Sequence, residues 1–448
     1  MNQLSHLLSA TLAVGNLDTK VTGVATDNRQ VRPGDAFVAF EGQRVDGHDF
    51  INDAFDRGAS VAIVSKPVKT DRGAILHVHD PLTAVQQMAM HERTAFEGPI
   101  VGITGSNGKT TTKQMVAAVL GSLGDCLYTE ANRNNELGLP LTILQRTPAH
   151  RSIVLEMGMR GFGQISDLCR IARPNIGIIT NIGQSHIELL GSQEGIARAK
   201  GELVQALPED GHAILNADDV WLRSLGSKSR AEVIGYGFSA DSDVRARDVR
   251  WTADGMEFTV DAMGESSRMS LPTFGLHNIS NALAAVAAGR LLGVSMNDIT
   301  IGLAGLEELS GRLRIVPGHR GMKIIDDCYN ASPLSMNASL DVLSHIAEAG
   351  KRVAVLGDMY ELGDYSQEGH EQVGRYAGRV GIDTLVAIGP QARWIASEAK
   401  KSGVRTVYHS ETVKEALAHL DRWVNSNSTV LVKASRGMQL EQVVESLV

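Results

Sequence analysis

Between Val21 and Val64 the chain carries short β-rich runs, Val21 to Val24, Ala36 to Phe40 and Val61 to Val64, cut by Pro33-Gly34-Asp35 and Asp46-Gly47-His48. Turn chemistry between apolar runs predicts a small α/β module, spanning 1–83. From Pro81 a helical stretch leads to Pro99, and Ile100-Val101-Gly102-Ile103-Thr104 reads as a buried strand. It runs straight into a glycine-rich turn and an amphipathic helix, Thr110 to Leu123. Buried strands at 153–156 and 176–180 and helices at 194–207 and 278–292 continue the alternation, which predicts a parallel sheet in a second domain, 84–309. Residues 244–274 instead alternate polar and apolar about Ala253-Asp254-Gly255, predicting an antiparallel hairpin attached to that domain. After Gly311 the rhythm is regular, with strands near 322–326, 352–357, 383–388, 405–408 and 429–433, each followed by a helix. That is a doubly wound, Rossmann-like third domain, 310–448, without the Gly-x-Gly-x-x-Gly of a dinucleotide site. The fold class predicted is α/β in three domains.

A length of 448 residues admits two to four domains, so three is consistent. Hydrophobic residues at 43% and charged residues at 21% exclude extensive disorder. The net charge of −8 supplies no field to gather nucleic acid, so any anionic ligand must be held locally. Cys126, Cys169 and Cys328 are odd in number and lack metal-ligand spacing, and read as reduced thiols packed as small hydrophobes. The first residues lack a leader pattern, and no apolar stretch reaches the roughly 18 residues of a membrane span. A soluble cytoplasmic protein is expected. Glycine (46 residues) is favoured over aromatics (4%), which suits tight turns and close backbone approach to a ligand.

The strongest chemical signal is Thr104-Gly105-Ser106-Asn107-Gly108-Lys109-Thr110-Thr111 between a predicted strand and helix. In such a turn backbone N–H groups face phosphate oxygens, the helix N-terminus adds partial positive charge, Lys109 adds a full one, and the Thr110 hydroxyl can ligate magnesium. Ile103 stands where the full Walker pattern has its first glycine. Binding of a nucleoside triphosphate is the stronger reading, and a plain strand-to-helix corner the weaker. Glu156 ends an apolar strand, where a carboxylate is costly unless it meets a cation. Mg²⁺ held by Thr110, Glu156 and phosphate oxygens answers that, and a solvated strand end is the alternative. His186, after Asn181-Ile182-Gly183-Gln184-Ser185, should emerge at the carboxyl edge of the sheet, although a lone histidine is more often structural. Lys200 sits on an ordinary-looking amphipathic helix and reads by itself as a solvated surface lysine. Asn132, Asn134 and Asn135 form an amide cluster that serves equally to orient a polar substrate or to build a turn. In His277-Asn278-Ile279-Ser280-Asn281, the two amides lie three apart on one helix face, able to read a base edge or merely to cap. Asp326 to Pro333 and Leu356 to Gly363 follow two strands of the third domain, at the edge where such a sheet binds ligands.

Taken in order, these segments, with Glu156-Met157-Gly158, Ala199-Lys200-Gly201-Glu202, Gly311-Arg312 and Asp327-Cys328-Tyr329-Asn330, resemble the motif set of the Mur ligases, ATP-dependent amide ligases of peptidoglycan precursor synthesis. Tyr329 to Pro333, Gly357 to Gly363 and Lys433-Ala434-Ser435-Arg436 are similar to the branch that adds D-alanyl-D-alanine to UDP-N-acetylmuramoyl-tripeptide. An Asp-Asn-Pro-Arg-like segment, usual in the sister that adds a diamino acid, is missing. The resemblance implies that the first domain holds the UDP-sugar through Thr26, Asp27, Arg29 and Asp46. It implies that the central domain holds ATP and two Mg²⁺ ions through Gly105 to Thr111, with Lys200 N-carboxylated by CO₂ and His186 near the second ion. His277, Asn278 and Asn281 would surround the adenine, and Arg312 and Asp327 would reach the nucleotide after closure near residues 309–312. Asn134 and Asn135 would meet the substrate, and Asn330 and Ser332 the dipeptide, in a monomer. Ala131, Gln164 and Ser332 stand where the family usually has Gly, Glu and Asn. The other readings are the sister ligase, a folylpolyglutamate-type ligase, and a non-catalytic nucleotide-binding module.

Overall fold

The computed structural model describes residues 2–15, 18–307, 311–347 and 350–448. The chain is α/β and builds three sheets in sequence order. In the first, strands run in the order Thr11–Val14, Ala74–His77, Val61–Val64, Asp35–Val38, Gly23–Ala25. All are parallel except the Thr11–Val14 edge, which is antiparallel to Ala74–His77. Val61-Ala62-Ile63-Val64 is buried at every position, as a strand covered on both faces must be. The edge strand is short and mostly exposed, which is why alternation does not reveal it.

The central sheet has nine strands in the order Glu265–Leu271, Gly255–Ala262, Val244–Thr252, Glu232–Gly237, His212–Asn216, Ile176–Ile179, Ile100–Thr104, His150–Glu156, Asp125–Tyr128. The expected hairpin forms about Ala253 and Asp254, and Glu265–Leu271 adds a third antiparallel strand, the whole extending this sheet. Val244–Thr252 first pairs in parallel with the end of Glu232–Gly237 and then turns back against Gly255–Ala262, so the sheet is mixed. Lys109–Leu120 and Leu276–Leu291 share one core cluster on one face, with Val116, Val119, Leu283 and Val286 fully buried. Gln164–Ala172 and Gln193–Ala206 contribute to a second cluster. Leu276–Leu291 is buried continuously from Ala282 to Gly289, so its alanines serve close helix packing rather than an amphipathic stripe.

The third sheet runs Arg314–Pro317, Lys323–Asp326, Ser428–Lys433, Lys351–Gly357, Thr384–Ile388, Thr406–Ser410. The five expected strands are parallel, and Arg314–Pro317 adds an antiparallel edge. This domain lies against the central one. Trp251 on the sheet extension stacks on His345 of helix Pro333–Ile346 with ring centroids 4.2 Å apart and planes 7° apart, and on Phe274 at 6.2 Å. Of the expected hinge, 309 and 310 lie outside the described residues, as does the junction drawn between the second and third domains. Among the described residues no helix is long and apolar enough to cross a membrane.

Candidate functional site

A cleft of about 1690 Å³ opens where the carboxyl edge of the central sheet faces the third domain. Its floor is the turn between Ile100–Thr104 and Lys109–Leu120. Gly105 has φ +151° and a Cβ there would sit 1.8 Å from Thr180 Oγ1, while Gly108 at φ +81° makes the left-handed step into the helix. Neighbouring strand-end residues brace the turn. Asn107 N donates to Asn181 Oδ1 at 3.0 Å, and Asn107 O accepts from Asn181 Nδ2 at 3.0 Å and Thr180 Oγ1 at 2.6 Å. Ser106 N is taken by Asn181 O. The amides of the first helical turn, Lys109 to Thr111, have no partner within the helix and are the donors left for an anion.

Lys109 Nζ donates to Gly105 O at 2.7 Å, folded over the turn. Thr110 Oγ1 donates to Glu156 Oε2 at 2.9 Å, and Arg312 of the third domain donates to Thr110 Oγ1 at 3.0 Å. The other Glu156 oxygen accepts from Asn134 Nδ2 at 2.9 Å. Glu156 is buried, so it is no solvated strand end. Among the described residues no three His, Cys, Asp or Glu side chains form a metal cage. A single carboxylate beside a hydroxyl is nonetheless the donor set Mg²⁺ takes when phosphates and water supply the rest, so these residues fit it.

Lys200 overturns the reading as a surface lysine: only 2% of it is exposed. Burial, reinforced by the positive charge of Lys109, holds its amine well below the usual lysine range. Desolvation also lowers Lys109, opposed by Glu156 and reinforced by Arg312. His186 takes a left-handed φ of +66° at the start of Ile187–Leu190 and projects to the same cleft. Its Nδ1 lies 2.6 Å from Glu361 Oε2, at an angle that makes no hydrogen bond. Burial pulls this imidazole down, Glu361 pushes it up, and Lys200 and Lys109 add to the fall, so the ring is disposed to be neutral. Lys109, Lys200 and Arg312 thus face one cleft in a chain of net charge −8, beside the carboxylates of Glu156 and Glu361.

Asn278 and Asn281 line the cleft but are largely committed to structure. Asn278 Nδ2 donates to Phe274 O at 2.8 Å, Asn281 Nδ2 to Asn278 Oδ1 at 3.2 Å, and Thr112 Oγ1 to Asn281 Oδ1 at 3.2 Å, tying the helix Leu276–Leu291 to the phosphate-turn helix. His277 keeps part of its surface on the cleft, yet desolvation draws it down to about 4, with Asp327 raising and Lys433 lowering it. Asp327 is ion-paired with Lys433 and accepts from Ser339 Oγ at 2.6 Å. Ser332 closes a capping box at the start of Pro333–Ile346 and donates to Asn107 Oδ1 at 3.0 Å, so its hydroxyl joins the third domain to the phosphate turn. Asn330 is exposed on the cleft wall while its carbonyl accepts from Lys433 Nζ at 3.0 Å.

Of the amide cluster, Asn134 orients Glu156, and Asn135 Oδ1 accepts from Gly138 N at 2.8 Å as a turn residue; both face the cleft. Ala131 holds φ +48°, the left-handed conformation that explains a preference for glycine there. Gln164 Oε1 accepts from Arg160 N at 2.6 Å and so orders the loop before its own helix. Thr26, Asp27, Arg29 and Asp46 do not line this cleft. Asp27 caps the turn Asn28–Gln30 and pairs with Arg29 at 2.7 Å. Asp46 is bonded to Lys66 and, at 2.7 Å, to His48, and Lys66 foremost holds its carboxyl far below the usual range. Lys113, Glu361 and Lys433 also shape the site and were not among the predicted ligands. Lys113 is buried and donates to Thr129 O; its place four residues after Lys109, on the same helix face, is the signal that could have found it.

Three family models match the chain: Mur ligase family, catalytic domain, over 20–97; Mur ligase middle domain over 103–289; and Mur ligase, glutamate ligase domain, over 311–436. The chain belongs to the Mur ligase family. A relative from Bacillus subtilis (strain 168), named UDP-N-acetylmuramoyl-tripeptide--D-alanyl-D-alanine ligase, is 37% identical over 100% of this chain and 98% of its own. MurF from Acinetobacter baumannii superposes with a TM-score of 0.91 at 32% identity, covering 99% of this chain and 97% of that one. MurF ligase from Thermotoga maritima, solved in complex with ADP, gives 0.84 at 31%, covering 97% and 98%.

Proposed function

We propose that the protein is an ATP-dependent amide ligase that joins D-alanyl-D-alanine to UDP-N-acetylmuramoyl-tripeptide, giving UDP-N-acetylmuramoyl-pentapeptide, ADP and phosphate. Full-length similarity to relatives named for this reaction supports it. The observation that carries it in the structure is one cleft in which a phosphate turn, a buried carboxylate and a buried lysine meet a third-domain arginine, Arg312 on Thr110. A tripeptide carboxylate oxygen bonds to the γ-phosphorus as its bond to ADP breaks, giving an acyl phosphate. The dipeptide nitrogen then bonds to the acyl carbon, loses a proton, and phosphate leaves.

Phosphoryl transfer asks for positioning and neutralised charge rather than covalent help from the protein. Lys109, the free amides of its helix turn and Arg312 are the groups placed to meet the phosphates. Thr110 and Glu156 would hold one Mg²⁺, which when bound offsets the phosphate charge. A neutral imidazole at His186 and an anion at Lys200 would suit a second. Lys200 fits a CO₂-derived carbamate because burial favours its uncharged amine, the form that adds to CO₂, over the ammonium. His277, Asn278, Asn281 and Asp327 bound the nucleotide end, and Asn134, Asn135 and Asn330 face the acceptor side. Ser332 assists by holding the domains together. Thr26, Asp27, Arg29 and Asp46 would order the UDP-sugar wall of the first domain. The work belongs in the cytoplasm, where ATP is supplied, and the protein acts as a monomer.

The test is ADP release with an acceptor panel. Turnover should require both UDP-N-acetylmuramoyl-tripeptide and D-alanyl-D-alanine; rapid turnover with a diamino acid on the dipeptide precursor, and none with the dipeptide, would refute it.

A further inference from the structure

On the third-domain wall two loops follow the adjacent parallel strands Lys351–Gly357 and Ser428–Lys433, which pair through Leu356 and Lys433. The loops are locked together: Ser435 N donates to Asp358 O at 3.1 Å, and Tyr360 N donates to Ser435 Oγ at 2.9 Å. Met359 N is held by the fully buried His370 at 3.0 Å, and Asp358 Oδ1 accepts from Gln391 N and Ala392 N at 3.0 and 2.7 Å. Rigid backbone therefore fixes the places of the two charged residues these loops present to the cleft, Glu361 and Arg436.

The two are of opposite sign and unequal in placement. Glu361 holds φ +62°, a conformation costly for a residue with a Cβ, and reaches the central domain beside His186. Arg436 is two-thirds exposed, pairs with Glu441 through one nitrogen, and has its guanidinium 5.8 Å from the centre of the Tyr329 ring. Arg312, the guanidinium bound to Thr110, lies 4.3 Å from that same ring. Tyr329 thus stands beside both the phosphate-facing arginine and a second one that makes no contact with the phosphate turn.

We infer that Arg436 is a specificity-determining residue that takes the C-terminal carboxylate of the incoming dipeptide, with Glu361 at the opposite pole taking its ammonium. This rests on the proposed ligase function and deepens it. A dipeptide is a zwitterion, and its nitrogen must point at the central domain, where the acyl phosphate is made. Glu361 is the pole that reaches the central domain. The carboxylate then falls on the third-domain wall, where a guanidinium with free donors offers paired hydrogen bonds to both oxygens. Reversed, the dipeptide would set carboxylate against Glu361 and ammonium against Arg436.

The experiment uses the full chain with saturating ATP and UDP-N-acetylmuramoyl-tripeptide and compares D-alanyl-D-alanine with its C-terminal amide. The wild type should prefer the free acid. In Arg436→Gln the KM for the acid should rise about 10- to 100-fold, the span of a lost charged hydrogen bond, with kcat and the KM for ATP unchanged. Turnover of the amide should be unaffected, so that the preference collapses, and Arg436→Lys should restore part of it. Glu361→Gln should raise the KM for both acceptors in the same proportion and leave their ratio as in the wild type. The assignment is overturned if the wild type does not discriminate, if Arg436→Gln keeps the wild-type preference while melting normally, or if Glu361→Gln alters the ratio. A wild type that turns over neither acceptor refutes the ligase function itself, and this assignment with it.

Discussion

His277 offers a test of the site's dryness that needs no substrate. Gly275, at φ +97°, leaves room for the ring: a Cβ there would lie 2.5 Å from its Cε1. The ion pair of Asp327 and Lys433 presents both signs to the imidazole, so desolvation dominates and the value falls from 6.5 to about 4. The unfolded chain therefore protonates at a pH where the folded one does not. Stability carries no penalty from this group above about pH 6.5, falls as pH drops below it, and has lost the full amount once the folded ring also protonates. At roughly 1.4 kcal/mol per pKa unit the whole effect is about 3 kcal/mol. In urea unfolding at about pH 7, 5.5 and 4.5, wild type should lose stability relative to His277→Gln by about 1 kcal/mol at the middle pH and between 2 and 3 at the lowest. The His277 ring proton followed by NMR should titrate near 4 rather than 6.5. Parallel stability curves for the two proteins, or an ordinary titration of that proton, would refute the reasoning.

Lys109→Ala should lower kcat by at least about 10²-fold in ADP release, as expected for loss of a fixed charge at developing negative charge, with an unchanged melting curve. Lys200→Ala should be nearly inactive, be partly restored by short carboxylic acids, and contrast with a wild type that loses activity in CO₂-free buffer; full wild-type activity there would exclude the carbamate. Gly108→Ala places a Cβ 2.5 Å from Asn281 Oδ1 at φ +81°, and should cost about 1–2 kcal/mol in unfolding while weakening ATP binding in a calorimetric titration. Ser332→Ala removes an N-cap and the contact with Asn107, and should cost about 1 kcal/mol in thermal unfolding.

What the sequence discloses here depends on how local the cause is. The phosphate turn is legible because strand, glycines, lysine and helix start are contiguous, and Ile100–Thr104 forms as expected. Lys200 is not, because its burial comes from other elements covering Gln193–Ala206; the clue was its small neighbours Ala197, Ala199 and Gly201, all buried. Edge strands Thr11–Val14 and Arg314–Pro317 are only four residues long and largely open to solvent, so they show no in-and-out alternation and are defined by the strand each pairs with. Amide clusters mislead for the opposite reason. Asn278, Asn281 and Asn135 have spacings equally suited to ligand or backbone, and only the finished fold shows how much of each is spent on internal bonds. The hairpin about Ala253-Asp254-Gly255 is legible, but its joining the central sheet through Glu232–Gly237 is not, because alternation reports solvent exposure and not which strand lies alongside.

Trp251 gives that extension an optical use. The chain has four tryptophans, and this one stands on the central domain with its ring face to face with a histidine of the third. Any rotation that parts the domains strips the indole of that neighbour and exposes it to water, so its emission colour and intensity register the separation without an added label. Replacing the other three tryptophans by phenylalanine would leave a single native fluorophore, able to follow opening and closing in real time as each reactant arrives.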